Sequence, residues 1–149
     1  MILRTVEEYY PTGNVSREYT ENEEGEWHGT YQSWYINGQL DKQCEFINGK
    51  RHGTYQHWYP TGQLRQQGAY ANDKRHGIRY IWNTDGLLDY IQQWYSGELL
   101  VQVDYTYTNK ELNIVTINIF NPNIESTTFI ANTITQLKQE GRKFKIKQD

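Results

Sequence analysis

A segment of the chain repeats every 24 residues, and this periodicity restricts the fold to an array of similar units. Residues 29–40 read GTYQSWYINGQL, and residues 53–64 read GTYQHWYPTGQL. A third, more divergent copy spans residues 77–88, and an incomplete first copy leaves Tyr10-Pro11-Thr12-Gly13. Units of this kind contact chiefly their neighbours. The sequence therefore predicts one supersecondary element used several times.

The punctuation within each copy indicates a β-hairpin. Each copy has a two-residue corner, Asn37-Gly38, Thr61-Gly62 or Asp85-Gly86, with strand-like residues on both sides. Asn-Gly and Asp-Gly favour a two-residue type I′ turn, which needs two positive φ angles. Longer loops such as residues 48–53 then join successive hairpins into an antiparallel meander. The predicted strands are 29–36, 39–47, 53–59, 63–71, 77–83 and 87–95.

The motif Asn48-Gly49-Lys50-Arg51-His52-Gly53, followed by an aromatic strand and a Tyr-x-Asn-Gly-x-Leu corner, resembles the second variety of the MORN repeat family. Three copies and the partial one cover about residues 9–98. The third copy departs from the pattern at Asp73-Lys74 and at Asn83. The resemblance implies an elongated antiparallel β-meander. It also implies the settings in which such repeats occur: bacterial antitoxin-type proteins, eukaryotic scaffolds near membranes, and giant viruses.

Beyond the repeats the pattern changes to a β-β-α-β order. Aliphatic and aromatic residues alternate from Leu99 to Tyr107, and a second strand-like run covers residues 112–120. Asn121-Pro122 is a helix start signal and Gly141 a stop signal, which predicts a helix near 123–140 before a last strand at 143–147. The predicted fold class is mainly β, with repeats over residues 1–98 and a small α/β cap over 99–149 that covers the open edge of the meander.

Counting outward from Asn37-Gly38 as a two-residue turn places Tyr35 opposite Leu40 and divides the side chains between two faces. A single bulge would exchange those faces. The predicted packing face carries Tyr31, Ser33, Tyr35, Leu40, Lys42, Cys44 and Phe46, and in the next copy Tyr55, His57, Tyr59, Leu64, Gln66, Gly68 and Tyr70. The opposite, polar face carries Trp34, Trp58 and Trp82 among Thr30, Gln32, Asp41, Gln43, Arg65, Gln67 and Asp89.

Composition excludes several functional classes. Aromatic residues make up 15% of the chain within a hydrophobic total of only 36%, which predicts a core built largely from rings. Fifteen basic against eighteen acidic residues give a net charge of −3, which argues against binding to nucleic acid or anionic lipid. No run is apolar enough for a membrane span, and no signal peptide is recognisable. With Cys44 as its single cysteine, the protein is expected in the cytoplasm, or in the host cytoplasm if it is viral.

Catalytic and metal-binding interpretations are weaker than structural ones. His28, His52 and His76 occupy equivalent positions, but two strands separate each from the next by roughly 9–10 Å, whereas the ligands of one metal lie about 2–2.3 Å from it. A role in the loops is predicted for them, and packing roles for His57 and Cys44. No catalytic motif is present, so we expect no enzyme activity and no cofactor.

The sequence predicts a non-catalytic interaction or scaffold module that presents its aromatic face to a protein partner. Trp34, Trp58 and Trp82 are the predicted contacts, and Tyr35 and Tyr59 take that role if the faces are reversed. A homodimer through an edge strand or the aromatic face is also compatible with the pattern. The alternative, which comes from the resemblance, is an immunity protein that blocks a toxin's active site through the acidic stretch at residues 21–26. A catalytic tail at 99–149 is disfavoured because that segment contains neither His nor Cys.

Overall fold

A computed structural model describes residues 1–148 of the chain. It is mostly β-structure, and α1 is the one helix in those residues. The elements are β1 (Arg4–Tyr9), β2 (Val15–Glu21), β3 (Trp27–Trp34), β4 (Leu40–Ile47), β5 (Lys50–Trp58), β6 (Leu64–Ala71), β7 (Lys74–Arg75), β8 (Gly77–Trp82), β9 (Leu88–Tyr95), β10 (Glu98–Thr108), β11 (Glu111–Ile119), α1 (Ile124–Gln139) and β12 (Phe144–Gln148).

The chain divides into two compact units, residues 1–74 and the residues from 75 onward. In the first unit β1 to β6 follow one another in chain order, each antiparallel to the next. The predicted hairpins are confirmed, and the six predicted strands agree with the observed bounds to within three residues. The partial first copy forms the hairpin of β1 and β2.

The structure places the tight two-residue turn where the longer loop was predicted, and a longer loop where the two-residue turn was predicted. The tight two-residue turn is Asn48-Gly49, where φ is 48° and 75° and Ile47 lies opposite Lys50. At the corner, Tyr35 N–H donates to the carbonyl of Gln39 at 2.8 Å, and of the corner pair only Gly38 has a positive φ, 86°. This is a three-residue loop in which a type I turn is followed by a left-handed glycine. The prediction of a two-residue turn at Asn37-Gly38 is therefore wrong. The sequence did not distinguish the two cases, because a glycine at this position suits both a two-residue turn and a three-residue loop.

The longer corner changes the register of the strands. Trp34 lies opposite Leu40, and Asp41 is an extra residue before Lys42, which lies opposite Ser33. Trp58 lies opposite Leu64 and Trp82 opposite Leu88 in the same way. Paired residues share a face of the sheet. The three leucines therefore lie on the same face as the tryptophans, and their placement with the tyrosines was wrong.

In the second unit β8 to β11 continue as antiparallel neighbours, while β12 runs parallel to β11 after the crossover through α1. The helix is capped by Asn123, whose side chain accepts from Ser126 N–H, so the predicted cap at Asn121 was two residues early. Gly141, with φ of 64°, follows its end as predicted. The mainly β fold class with a C-terminal α/β segment is confirmed, and a domain boundary at residue 98 stays a prediction.

The buried core of the second unit is aliphatic. Its centre consists of Leu100, Val101, Val103, Val115, Ile117 and Leu137, and Phe129, Ile130 and Ile134 of α1 pack against it. Aromatic rings lie around this cluster rather than in it. The expectation of a core made largely of rings is therefore wrong for the second unit, because a helix on a sheet closes best over branched aliphatic side chains.

Candidate functional site

The strands of the first unit present two chemically different faces, which we name from their aromatic residues. The tyrosine face is defined by Tyr19, Trp27, Tyr31, Phe46, Tyr55 and Tyr70, whose rings contact one another. The tryptophan face is defined by Glu18, Gln32, Trp34, Gln43, Gln56, Trp58 and Gln67, which strand pairing and alternation place on one side.

The tyrosine face is the more tightly packed of the two. Ser33 and Cys44, with 8% and 5% exposure, are buried on it. The Arg51 guanidinium lies 4.2 Å from the centre of the Tyr70 ring, which in turn contacts Tyr55. Burial raises the pKa of the Cys44 thiol to about 11, which keeps it protonated. Cys44 is thus a packing residue under aromatic neighbours.

The tryptophan face is polar apart from its indoles and leucines. Gln32 donates from Nε2 to Oε1 of Gln43 at 3.0 Å, and Gln56 donates in the same way to Gln67 at 3.1 Å. These amide pairs link neighbouring strands and make the surface hydrophilic. Trp34 stands half-buried at the end of such a row. Large apolar side chains beside satisfied polar ones are typical of protein interfaces.

An open cleft of about 390 Å³ adjoins Trp34 on this face. Its lining includes Val15, Gly38 and the carboxylate-bearing Glu18. Glu18 lies opposite Gln32 on β3 and opposite Glu7 on β1, so the carboxylate of the cleft faces a second carboxylate on the neighbouring strand. Like charges directly opposed on a sheet repel each other. The cleft therefore combines an indole wall with negative charge, which suits a basic side chain with an aliphatic stem.

The tyrosine of each corner serves the sheet itself. Tyr10 donates its hydroxyl to the carbonyl of Trp34 at 2.6 Å, and Tyr35 donates to the carbonyl of Trp58 at 2.7 Å. Each bond joins the corner of one repeat to the strand of the next. Burial, with a hydrogen bond to a carboxylate, raises the pKa of Tyr35 to about 12, so the phenol stays a donor. Tyr59 is half-buried at the equivalent corner.

A polar cluster on the tyrosine face escaped the sequence analysis. The Asp41 carboxylate lies 3.1 Å from His57 Nε2 and accepts a hydrogen bond from Ser33 Oγ at 3.2 Å. The Tyr35 hydroxyl is 3.4 Å from the same imidazole nitrogen. Burial lowers the pKa of His57, and the charge of Asp41 opposes that shift. Asp41 was wrongly placed on the polar face, since only the bulge at the corner turns it toward His57.

This cluster does not have the arrangement of an activated nucleophile. The carboxylate, rather than the imidazole, holds the Ser33 hydroxyl. Both Asp41 and His57 have side chains less than a fifth exposed, at 17% and 15%. The cluster therefore ties β3, β4 and β5 together as a structural network.

Two of the three repeated histidines, His28 and His76, contact turns, as predicted for the loops. His28 Nδ1 lies 3.1 Å from Asn48 Oδ1 in the next tight turn, and in the second unit Ser96 N–H donates to His76 Nδ1 at 3.4 Å. Within residues 1–148, no group of three or more His, Cys, Asp or Glu side chains is arranged to hold a metal ion. His52 is exposed.

The second unit carries the third predicted tryptophan. Trp82 is half-buried at the end of β8, and its ring stacks on Tyr80 with 5.8 Å between centres. None of the helices described in residues 1–148 has the length and apolarity to cross a membrane.

A family model described as a MORN repeat variant matches residues 27–48 and 51–72. These two segments are MORN repeats. Each matched segment covers one hairpin with its three-residue corner, β3 with β4 and, from the second residue of β5 onward, β5 with β6. MORN repeats generally mediate protein or membrane interactions and have no catalytic role of their own. No curated protein matches the chain in sequence.

Proposed function

We propose that this MORN repeat protein is a non-catalytic scaffold whose tryptophan face binds a protein partner. The observation that carries the proposal is the open cleft in which the Trp34 indole and the Glu18 carboxylate lie side by side. Trp58 supplies a second indole on the same face, and Trp82 is the contact proposed for the second unit. A partner segment with a basic residue next to an apolar one fits this chemistry.

The side chains of the tyrosine face are already bonded or packed within the sheet, and this supports the tryptophan face as the binding surface. The Tyr35 hydroxyl is bonded inside the sheet, and Cys44 is already covered by rings. Removing side chains there should destabilise the fold first. On the tryptophan face the bond between the Gln32 and Gln43 amides uses one N–H and one carbonyl group, so other polar groups of the same amides can bond a partner.

The proposal is tested by affinity capture from the native cell with three versions of the chain. Wild type should retain a protein partner, Trp34→Ala should lose it by about thirtyfold in affinity or more, and Gln56→Ala on the same face should retain it. Thermal melts of all three should be similar, since Trp34 is only half-buried. Retention of the same partner by both Trp34→Ala and a fourth version, Trp58→Ala, would contradict the proposal.

A second candidate function is that of an immunity protein, and one observation favours it. A cleft of about 480 Å³ is lined by Glu21, Glu23 and Glu24 of the acidic stretch and by Arg4, which forms an ion pair with Glu21. A toxin with a basic active site would occupy that cleft. In the same capture experiment, loss of the partner from Glu23→Lys/Glu24→Lys together with full retention by Trp34→Ala would favour this function over the scaffold. A viral source and a cytoplasmic location are further proposals from the sequence.

A further inference from the structure

The first strand has one unpaired edge. Among residues 1–148, β1 pairs with β2 alone. Tyr10 N–H donates to the carbonyl of Asn14 at 2.8 Å, which fixes the direction of the alternating backbone groups before it. The N–H groups of Thr5, Glu7 and Tyr9 therefore point away from β2. An edge of this kind accepts a further strand unless something protects it.

The last described strand has an unpaired edge as well. Within those residues β12 pairs with β11 alone, and Val115 N–H donates to the carbonyl of Lys143 at 3.1 Å. In a parallel ladder this bond directs the N–H groups of Phe144 and Ile146 away from β11. Ile146 is 51% exposed. Its edge is therefore open to solvent.

The charges on the two edge strands, β1 and β12, determine which of them can pair. Residues 1–26 contain seven glutamates and two arginines, and Glu7 and Glu8 are on β1 itself. Residues 138–148 contain five basic residues and one glutamate, and Lys145 and Lys147 are on β12. Two copies of β12, with Lys145 and Lys147, repel each other, and two copies of β1, with two glutamates against Arg4, both carry net negative charge. Pairing β1 with β12 brings strands of opposite net charge together.

We propose that the occupant of each edge is a second copy of this chain, with β12 of one copy adding to β1 of the next. An antiparallel pair with Ile146 opposite Glu7 places Phe144 opposite Tyr9 and Lys145 opposite Glu8, whose carboxylate also pairs with Arg17 of β2. The interface joins two different surfaces, so association continues head to tail from copy to copy. The proposal is independent of the tryptophan face and survives if that face binds nothing.

The affinity of such a joint is modest. A single strand pair buries less than the roughly 1,200 Å² of a stable interface, so association belongs in the micromolar to millimolar range. The joint also depends on opposite charges near solvent. It should therefore weaken as the salt concentration rises.

The test is sedimentation velocity on the full chain and on two proline variants. Thr5→Pro and Ile146→Pro each remove one N–H that faces outward, so each blocks one edge without removing a bond inside the sheet. Wild type should show a weight-average mass that rises with concentration past that of a dimer. Each variant alone should stay monomeric. An equimolar mixture should form a dimer and nothing larger, because each variant keeps the edge that the other lacks.

Controls distinguish a loss of edge pairing from misfolding and from an effect of the tryptophan face. Circular dichroism and thermal melts should match wild type, and if Ile146→Pro fails to fold, Lys145→Glu/Lys147→Glu must show the same loss of association. Trp34→Ala should associate as wild type does. A wild-type chain that is monomeric at every concentration would overturn the proposal. So would either proline variant that still dimerises with itself.

Discussion

At the scale of single residues, His57 links the protonation of one imidazole to the stability of the sheet. Its pKa is lowered by burial, so the unfolded chain binds the proton more readily than the folded one. The stabilising contribution is complete above the ordinary histidine pKa of about 6.5, and it is lost as the pH falls through the lower folded value. Protonation thus works against folding, even beside Asp41.

We therefore expect the free energy of unfolding to fall between about pH 7.5 and pH 5, and to fall less in His57→Gln. Urea denaturation across that range measures both slopes. Asp41→Asn is the matched variant, since it removes the charge that favours the protonated ring and should lower the folded pKa further. An unchanged slope in His57→Gln would show that other groups cause the pH dependence.

At the scale of secondary-structure elements, the corner loop depends on the backbone of one glycine. Gly38 has φ of 86°, and a Cβ added there would meet no atom within 4 Å. The energetic cost of a larger side chain at position 38 is therefore backbone strain alone. We expect Gly38→Val to lower the free energy of unfolding by about 1 kcal/mol or more, and Gly38→Asn to lower it clearly less, because asparagine tolerates the left-handed region. Equal denaturant midpoints for the two variants would contradict this loop geometry.

The corner also shows where prediction from the sequence stopped. The repeat period, the hairpins and the strand bounds follow from Gly and Asn positions and from alternation, and they were predicted correctly. The turn type does not follow, since Asn-Gly serves a two-residue turn at Asn48-Gly49 and a three-residue loop at Asn37-Gly38. One extra residue in the loop moved Leu40 and Asp41 to the opposite faces. For that reason the Asp41–His57 contact could not be predicted from the sequence.

At the scale of the whole molecule, the aliphatic and the aromatic parts should respond differently to the loss of side chains. Ile117 is fully buried in the core of the second unit, whereas Leu64 is half-buried opposite Trp58. We expect Ile117→Ala to lower the free energy of unfolding by about 2–5 kcal/mol through the cavity that it leaves. Leu64→Ala should lower it less. Guanidinium denaturation compares the two variants directly, and a larger loss in Leu64→Ala would mean that the half-buried face is more important for stability than the core.

The joints between successive repeats have a consequence for how such a chain can change in evolution. Gly49 N–H donates to the carbonyl of Trp27, and the Tyr35 hydroxyl donates to that of Trp58. Each bond spans about one period, so one repeat carries the donor of one joint and the acceptor of another. A tandem duplication of the codons for one period would thus create a complete new joint with no compensating substitution. A gene for a chain of this kind can therefore gain a whole repeat without losing a joint.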